Sequence, residues 1–270
     1  MEDIRIYHTV INKLRNFFLE RGFIEVPAQS RMSILAACED PKTIVEYHFN
    51  KTIWPLPQTG QMWLEHELLK NPSLKGVFCI TTSYRDEPNP IEGRHDKIFP
   101  MFEFESKGNI SDLIKIEKEL LKHLGFPEGS QEEYNELCNR YNVGELTAEH
   151  EGLMWKDINE VVFLKHFPQH THPFWNMKHK ENGIFNKVDV ILCGMETIGS
   201  AERSCNVKEM KNNFMTISNG EYSQLLFNKF SKERVMQELD KYLSLPMFER
   251  FGGGIGITRM ARAMKLSGLL

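Results

Sequence analysis

The chain has 270 residues, 26% of them charged and 41% hydrophobic, with a formal net charge of −4. That balance suits a globular protein with a substantial core, and the acidic total gives no general attraction to nucleic acid or anionic membrane. The five cysteines (Cys38, Cys79, Cys138, Cys193, Cys205) form no CxxC pair, and no apolar run reaches membrane-spanning length, which argues against a disulfide scaffold, a zinc knuckle or a membrane span.

From the N-terminus, MEDIRIYHTV shows no basic region followed by an apolar stretch, so a cytoplasmic location is expected. Ile4, Tyr7, Val10, Ile11, Leu14, Phe17 and Phe18 recur at helical spacing, predicting an amphipathic helix that ends near Arg21-Gly22. FIEV then reads as a short strand stopped by Pro27. Further strands are predicted at TIVEYHF, TIWPLP, GVFCITTSY, IFPMFEFES, EVVFLKHF, KVDVILCG and ERFGGGIGI. Helices are predicted at GQMWLEHELLK, ISDLIKIEKELLKHL, YSQLLFNKFSKERVMQELDKYL and TRMARAMKL. Strands often follow one another without an intervening helix, so the βαβ rhythm of a doubly wound sheet is absent. The expected class is α+β, a mainly antiparallel sheet flanked by helices, in one domain over 1–270 with a small helical insertion at 127–150. The tryptophans Trp54, Trp63, Trp155 and Trp175 read as core residues.

Three stretches carry candidate chemistry. In TTSYRDEPNPIEGRHDKIFPMFEFES, two strands flank a Pro-containing loop, with Arg85 at its start and Arg94-His95 at its return. Two fixed guanidinium forks suit a polyphosphate, and Phe99 or Phe102 offers a ring for a nucleobase; a solvated hairpin with a charged tip is the plainer reading. In KVDVILCGMETIGSAERS, Asp189, Glu196 and Arg203 are spaced by seven, so that two carboxylates meet a divalent metal or simply lie on the surface. In FERFGGGIGITRMARAMKL, Gly252, Gly253, Gly254 and Gly256 permit close backbone approach, and a helix carrying Arg259 follows. Neither GxGxxG nor GxxxxGK[ST] is present. In KHFPQHTHPFW, His166, His170 and His172 lack a completing acid or cysteine and read as structural or surface residues.

Taken together, these segments resemble the catalytic core of class II aminoacyl-tRNA synthetases, in the aspartyl/asparaginyl branch that also holds related asparagine synthetases. INKLRNFFLERGFIEVPAQS resembles the first class II motif, SYRDE…GRHDKIFPMFEFE the second and GGGIGITR the third; PLPQTGQMWLEHELL is similar to the amino-acid-pocket segment. The resemblance implies ATP and Mg²⁺ as substrate and cofactor, and an aminoacyl adenylate with pyrophosphate as products. By resemblance Arg85 grips the α-phosphate and Glu87 faces adenine. Arg94 and His95 hold the outer phosphates, Phe99 and Arg259 sandwich adenine, and Gly254 and Gly256 line the nucleotide site. Arg85 and Arg259 are the catalytic pair. Asp189 and Glu196 bind Mg²⁺. Gln61 and Glu103 hold the α-amino group, Thr59 belongs to the same pocket, and Arg203 meets the side-chain oxygen. A homodimer through the first motif is implied.

The sequence departs from the pattern at several places. No anticodon-binding barrel precedes the first motif, which together with the acidic net charge favours a small acceptor such as ammonia over tRNA, and the chain ends soon after the third motif, where relatives continue. Leu64 stands where aspartate-activating members carry lysine, and TGQMWLE is nearer the asparaginyl SGQxxxE. Ile98 and Thr258 replace acids before Phe99 and Arg259. Three readings follow: a ligase activating aspartate, asparagine or a similar amino acid for a small acceptor; an enzyme charging tRNA or another acceptor; and a non-catalytic amino-acid-binding or regulatory relative.

Overall fold

The computed structural model describes residues 3–28, 34, 41–94 and 96–270. His95 and Cys38 lie outside them.

Helix α1 (Ile4–Glu20) begins at Asp3, whose carboxylate accepts from the Arg5 amide, and it buries Val10, Ile11, Leu14, Phe17 and Phe18 as the periodicity predicts. After β1 (Ile24–Glu25), the strands β2 (Glu46–Phe49) and β3 (Thr52–Pro55) form a separate hairpin. Helix α2 (Gln61–Lys70) leads into β4 (Gly76–Tyr84) and β5 (Ile98–Lys107), which pair antiparallel with Tyr84 opposite Ile98. Then come α3 (Ile110–Leu124), β6 (Ser130–Glu133), α4 (Tyr134–Tyr141), α5 (Ala148–Asp157) and β7 (Val161–Pro168). Strands β8 (Ile184–Leu192) and β9 (Met195–Glu202) precede α6 (Val207–Thr216), α7 (Glu221–Phe230) and α8 (Lys232–Leu243). The chain closes with β10 (Arg250–Gly256) and α9 (Ile257–Leu266).

Eight strands form one sheet in the order β1-β4-β5-β10-β9-β8-β7-β6. The pairings at its two edges are parallel and all those between are antiparallel. The chain therefore has the α+β fold expected, a mainly antiparallel sheet flanked by helices.

The sheet's two faces differ in chemistry because β5 alternates. Phe102 and Phe104 turn to one face, where Phe102 meets Phe18 and Phe78 at 5.1 Å each, under α1, α3 and α9. Glu103 and Glu105 turn to the other face and are fully buried there. Burying two carboxylates along one strand needs space, and β10 provides it. Gly252 pairs with Glu105 and Gly254 with Glu103. A Cβ at Gly252 would lie 2.1 Å from Glu105 Cδ and 2.4 Å from the Phe104 carbonyl oxygen. On this opposite face α6, α7 and α8 pack around Trp175, Phe214, Tyr222 and Tyr242.

Several local expectations are corrected. The long helix expected over 222–243 is broken at Ser231, whose φ of 67° ends α7 and whose hydroxyl accepts from the Arg234 amide to start α8. The polar stretch 127–150 is not wholly helical, since β6 within it adds an edge strand beside β7. Helix α6 was not anticipated. Trp155 is 40% exposed, unlike the buried Trp175. Phe102 belongs to the core and is unavailable to a base.

Two consequences follow from this packing. Gly252→Ala is expected to destabilise the fold by about 1–3 kcal/mol, because the new methyl meets the Phe104 carbonyl oxygen as well as the fully buried Glu105 carboxyl group; denaturant unfolding measures it. Glu117 on α3 is fully buried, and burial pushes its carboxyl up from 4.5 to about 8, with Ser200 opposing the shift and Asp189 adding to it. The folded state thus holds a proton that the unfolded chain releases between pH 4.5 and about 8. The associated stability is complete below the lower value and lost as pH rises through the upper, at up to about 1.4 kcal/mol per pH unit. Glu117→Gln removes this slope, so its stability relative to the wild type should grow from pH 5 to 8.5; parallel pH profiles would count against it.

Candidate active site

A cavity of about 590 Å³ opens on the acidic face of the sheet, between the ends of the central strands and α2. Its lining includes Thr59, Gln61, Arg85, Glu87, Arg94, Phe99, Glu103, Asp189, Glu196, Arg203, Gly254, Gly256 and Arg259. Every site residue expected from the sequence lies there except His95, which is outside the described residues.

The β4–β5 hairpin builds one wall. Arg85 follows β4, its amide bonds the Lys97 carbonyl at 2.8 Å, and its guanidinium stands 5.5 Å from the centre of the Phe99 ring. Arg94, on the connecting loop, donates to Glu151 Oε1 at 2.6 Å. The other oxygen of Glu151 accepts the Glu196 amide at 2.7 Å, so one carboxylate from α5 fixes both the loop arginine and the start of β9. Arg259, in the first turn of α9, donates to the Glu196 carbonyl at 2.8 Å and lies 3.8 Å from Glu196 Oε2. Burial holds Arg259 below the usual guanidinium range; Glu196 opposes this, while Arg94 and Arg85 add to it. Three guanidinium groups therefore share one end of the cavity, an arrangement that favours an anion with several charged oxygens.

Beside them, β8 and β9 present Asp189 and Glu196. They flank Gly199, where an added Cβ would lie 3.1 Å from Glu196 Oε1 and 3.7 Å from Asp189 Oδ1. Lys187 Nζ lies 3.0 Å from Asp189 Oδ2. Among the described residues no three His, Cys, Asp or Glu side chains gather as a protein-only metal cage. Two converging carboxylates do fit Mg²⁺, which takes one or two protein oxygens and completes its shell with phosphate and water.

The other end of the cavity is a buried polar network. Glu103 accepts from the Thr59 hydroxyl, from Thr81 Oγ1 at 2.6 Å and from the Gly60 amide at 2.8 Å. Burial pushes its carboxyl up, and these three donors oppose the shift. Gly60 is required here, because a Cβ would fall within 3.0 Å of Thr81, Cys79 and Glu103. Arg203 donates to Glu105 Oε1 from Nε and Nη2 at 3.0 and 2.5 Å, and its Nη2 lies 3.5 Å from Gln61 Oε1. Burial pushes Glu105 up to about 8, against the pull of Arg203. Glu65, one turn into α2, accepts from Asn176 at 2.6 Å, Tyr242 at 2.6 Å and Arg250 at 3.0 and 2.8 Å.

Glu65, Glu105, Glu151 and Asn176 were not singled out from the sequence. Glu105 was signalled by the strand alternation of FEFE, and Glu65 closes the quoted TGQMWLE. Nothing local marks Glu151 or Asn176. Leu64, expected at the pocket wall, instead packs with Leu68, Val77 and Cys79 and does not line the cavity. Ile98 is exposed away from the cavity, while Thr258 lines it. Of the histidines, His166 bonds Glu133 at 2.7 Å, and none of the three borders the cavity.

The fold has well-characterised counterparts. Asparaginyl-tRNA synthetase from Pyrococcus horikoshii, complexed with asparaginyl-adenylate, superposes with a TM-score of 0.79 at 20% identity, over 96% of this chain and 64% of that one. Entamoeba histolytica asparaginyl-tRNA synthetase, also with asparaginyl-adenylate, gives 0.75 at 18%, over 98% and 63%. The aspartyl-tRNA synthetase of the same organism gives 0.72 at 16%, over 96% and 54%. The chain thus spans less than two thirds of these proteins, and at such identities the likeness is one of fold. No curated protein matches the sequence at a significant level. No described helix is long and apolar enough to cross a membrane. Residues 1–268 match the family model for tRNA synthetases class II (D, K and N), and the chain belongs to that family.

Proposed function

We propose that this protein activates an amino acid with a short polar side chain, of the aspartate or asparagine kind, as its adenylate. The observation that carries the proposal is the junction of two unlike sites in one cavity. Three arginines and a pair of converging carboxylates stand at one end, and a deeply buried set of carboxylates and an arginine at the other. The first suits a nucleoside triphosphate, the second the amino group and side chain of an amino acid.

In the reaction, a carboxylate oxygen of the amino acid attacks the α-phosphorus of ATP, the bond to the β-phosphate oxygen breaks, and pyrophosphate leaves. No protein nucleophile is needed. The work falls to positioning two anions in line and stabilising the charge that shifts onto the departing oxygens. In this reading Arg85 takes the α-phosphate, Arg94 the outer phosphates, and Phe99 and Arg259 the two faces of adenine. Glu87 faces the base, and Gly254 and Gly256 allow close approach. Arg94 is held ready by Glu151, and the phosphates replace that carboxylate or share the arginine with it. Gln61, Glu103 and Thr59 hold the α-amino group, and Arg203 meets the side-chain oxygen. Asp189 and Glu196 would hold Mg²⁺, which when bound screens the phosphate charge. The neighbours solved with asparaginyl-adenylate support this assignment of the cavity. A homodimer through α1 and a cytoplasmic setting belong to the same proposal.

The test is ATP–pyrophosphate exchange with Mg²⁺, screened over the standard amino acids. Exchange driven by one short polar amino acid is expected, and Arg85→Ala should lower it by about 10³-fold, the scale on which a phosphate-directed arginine acts. ATP binding with no exchange for any amino acid would instead point to a binding protein on this frame. The acceptor separates two forms of the proposal: offering ammonia should give an amide product, whereas an RNA acceptor would capture labelled amino acid in acid-precipitable form.

A further inference from the structure

The strand that carries one carboxylate of the nucleotide end also carries a cation. Along β8 the side chains alternate, so Val188 and Val190 enter the aromatic core while Lys187 and Asp189 share the cavity face. Two residues apart on one face, they meet: Lys187 Nζ lies 3.0 Å from Asp189 Oδ2. The ammonium is seated as well as paired, standing 4.3 Å from the centre of the Phe167 ring on the neighbouring strand β7. Glu196 is matched in the same way, with Arg259 Nη1 3.8 Å from its Oε2. Each carboxylate of the pair therefore faces a basic side chain, and these groups together carry no net charge.

That balance is unfavourable to a bare divalent ion. Mg²⁺ sheds its water reluctantly and is drawn to a protein by carboxylate charge. Here it has to displace an ammonium from Asp189 and then stay beside it. A triphosphate changes the balance, because its oxygens add the negative charge that the paired carboxylates lack. We propose that Lys187 is a positioning residue that keeps the Asp189–Glu196 pair closed to divalent metal until ATP is bound, so that metal and nucleotide are taken up together. The inference rests on the reading of that pair as the metal carboxylates. Lys187 rather than Arg259 sets this behaviour, since its contact is the closer, at 3.0 against 3.8 Å. Its partner is also the less exposed, with 10% of the Asp189 side chain accessible against 37% for Glu196, and charge is screened less there.

The experiment is Mn²⁺ binding to the nucleotide-free protein, read by electron paramagnetic resonance of the free ion, which needs no catalysis. Lys187→Met keeps an unbranched stem against Phe167 and removes the charge. It should bind Mn²⁺ at least about 10-fold tighter than the wild type, the smallest effect expected of a charge beside a carboxylate. Asp189→Asn in that background should abolish the gain, and Lys187→Arg, which keeps the charge, should stay with the wild type. The sign separates this role from a scaffolding one: losing a lysine that merely packs would loosen Asp189 and weaken binding. Binding by Lys187→Met no tighter than the wild type would overturn the inference, as would a gain that survives Asp189→Asn or that Lys187→Arg shares. Should the Lys187 variants not fold, the wild type decides. At Mn²⁺ concentrations that saturate free ATP the nucleotide-free protein should take up none, and uptake that Asp189→Asn removes would overturn the inference. Absence of pyrophosphate exchange alongside the Mn²⁺ gain would remove the adenylation reading and leave the role of Lys187 standing.

Discussion

A carboxylate can be buried against a β-sheet only if the neighbouring strand leaves room and nearby groups supply donors. The site of this protein is organised around that constraint. Strand β5 sends Glu103 and Glu105 to the face opposite Phe102 and Phe104, and β10 answers with Gly252 and Gly254 at the paired positions. The same two strands therefore build the aromatic core beneath and the polar cavity above. Moving β5 by one residue would exchange the two sets, placing acids under α1 and rings in the cavity.

Burying charge in this way is costly unless the groups are paired and hydrogen-bonded. Glu65 meets that condition with four donor contacts, and Arg203 lies between Glu105 and Glu65. The buried network ties α2, β5, β9, β10 and α8 together through side chains rather than apolar contact alone. Such a network restricts its members to one arrangement, which a pocket must have if it is to distinguish side chains that differ by a single group. The nucleotide end is built differently. Arg85, Arg94 and Arg259 are half-buried or border open space, and their mutual repulsion is relieved by Glu151 and Glu196 until an anion arrives.

Much of the site was legible in the sequence, for local reasons. The alternation in MFEFES assigns two faces to a strand, and the glycines of FGGGIG mark a strand approached closely from both sides. Arg85 and Arg259 stand at a strand end and a helix start, and Arg94 on the loop between two strands, where side chains reach a cavity. Other features were not legible. Leu64 and Glu65 are adjacent on one helix, and only packing decides which faces the pocket. Glu151 and Asn176 lie in stretches without a motif, and they matter because distant segments bring Arg94, Glu196 and Glu65 against them. The helix expected over 222–243 failed for a related reason: its apolar period continues across Ser231, while the backbone turns there.

The sequence by itself determined the alternation of β5, the apolar stripe of α1, the positions of the cationic residues and the class of the fold, because each is written in a period of two or 3.6 residues. The tertiary structure alone decided which carboxylates pair with which arginines and which residue of an adjacent pair enters the pocket. Those outcomes depend on contacts between residues far apart in the chain, and no local period encodes them.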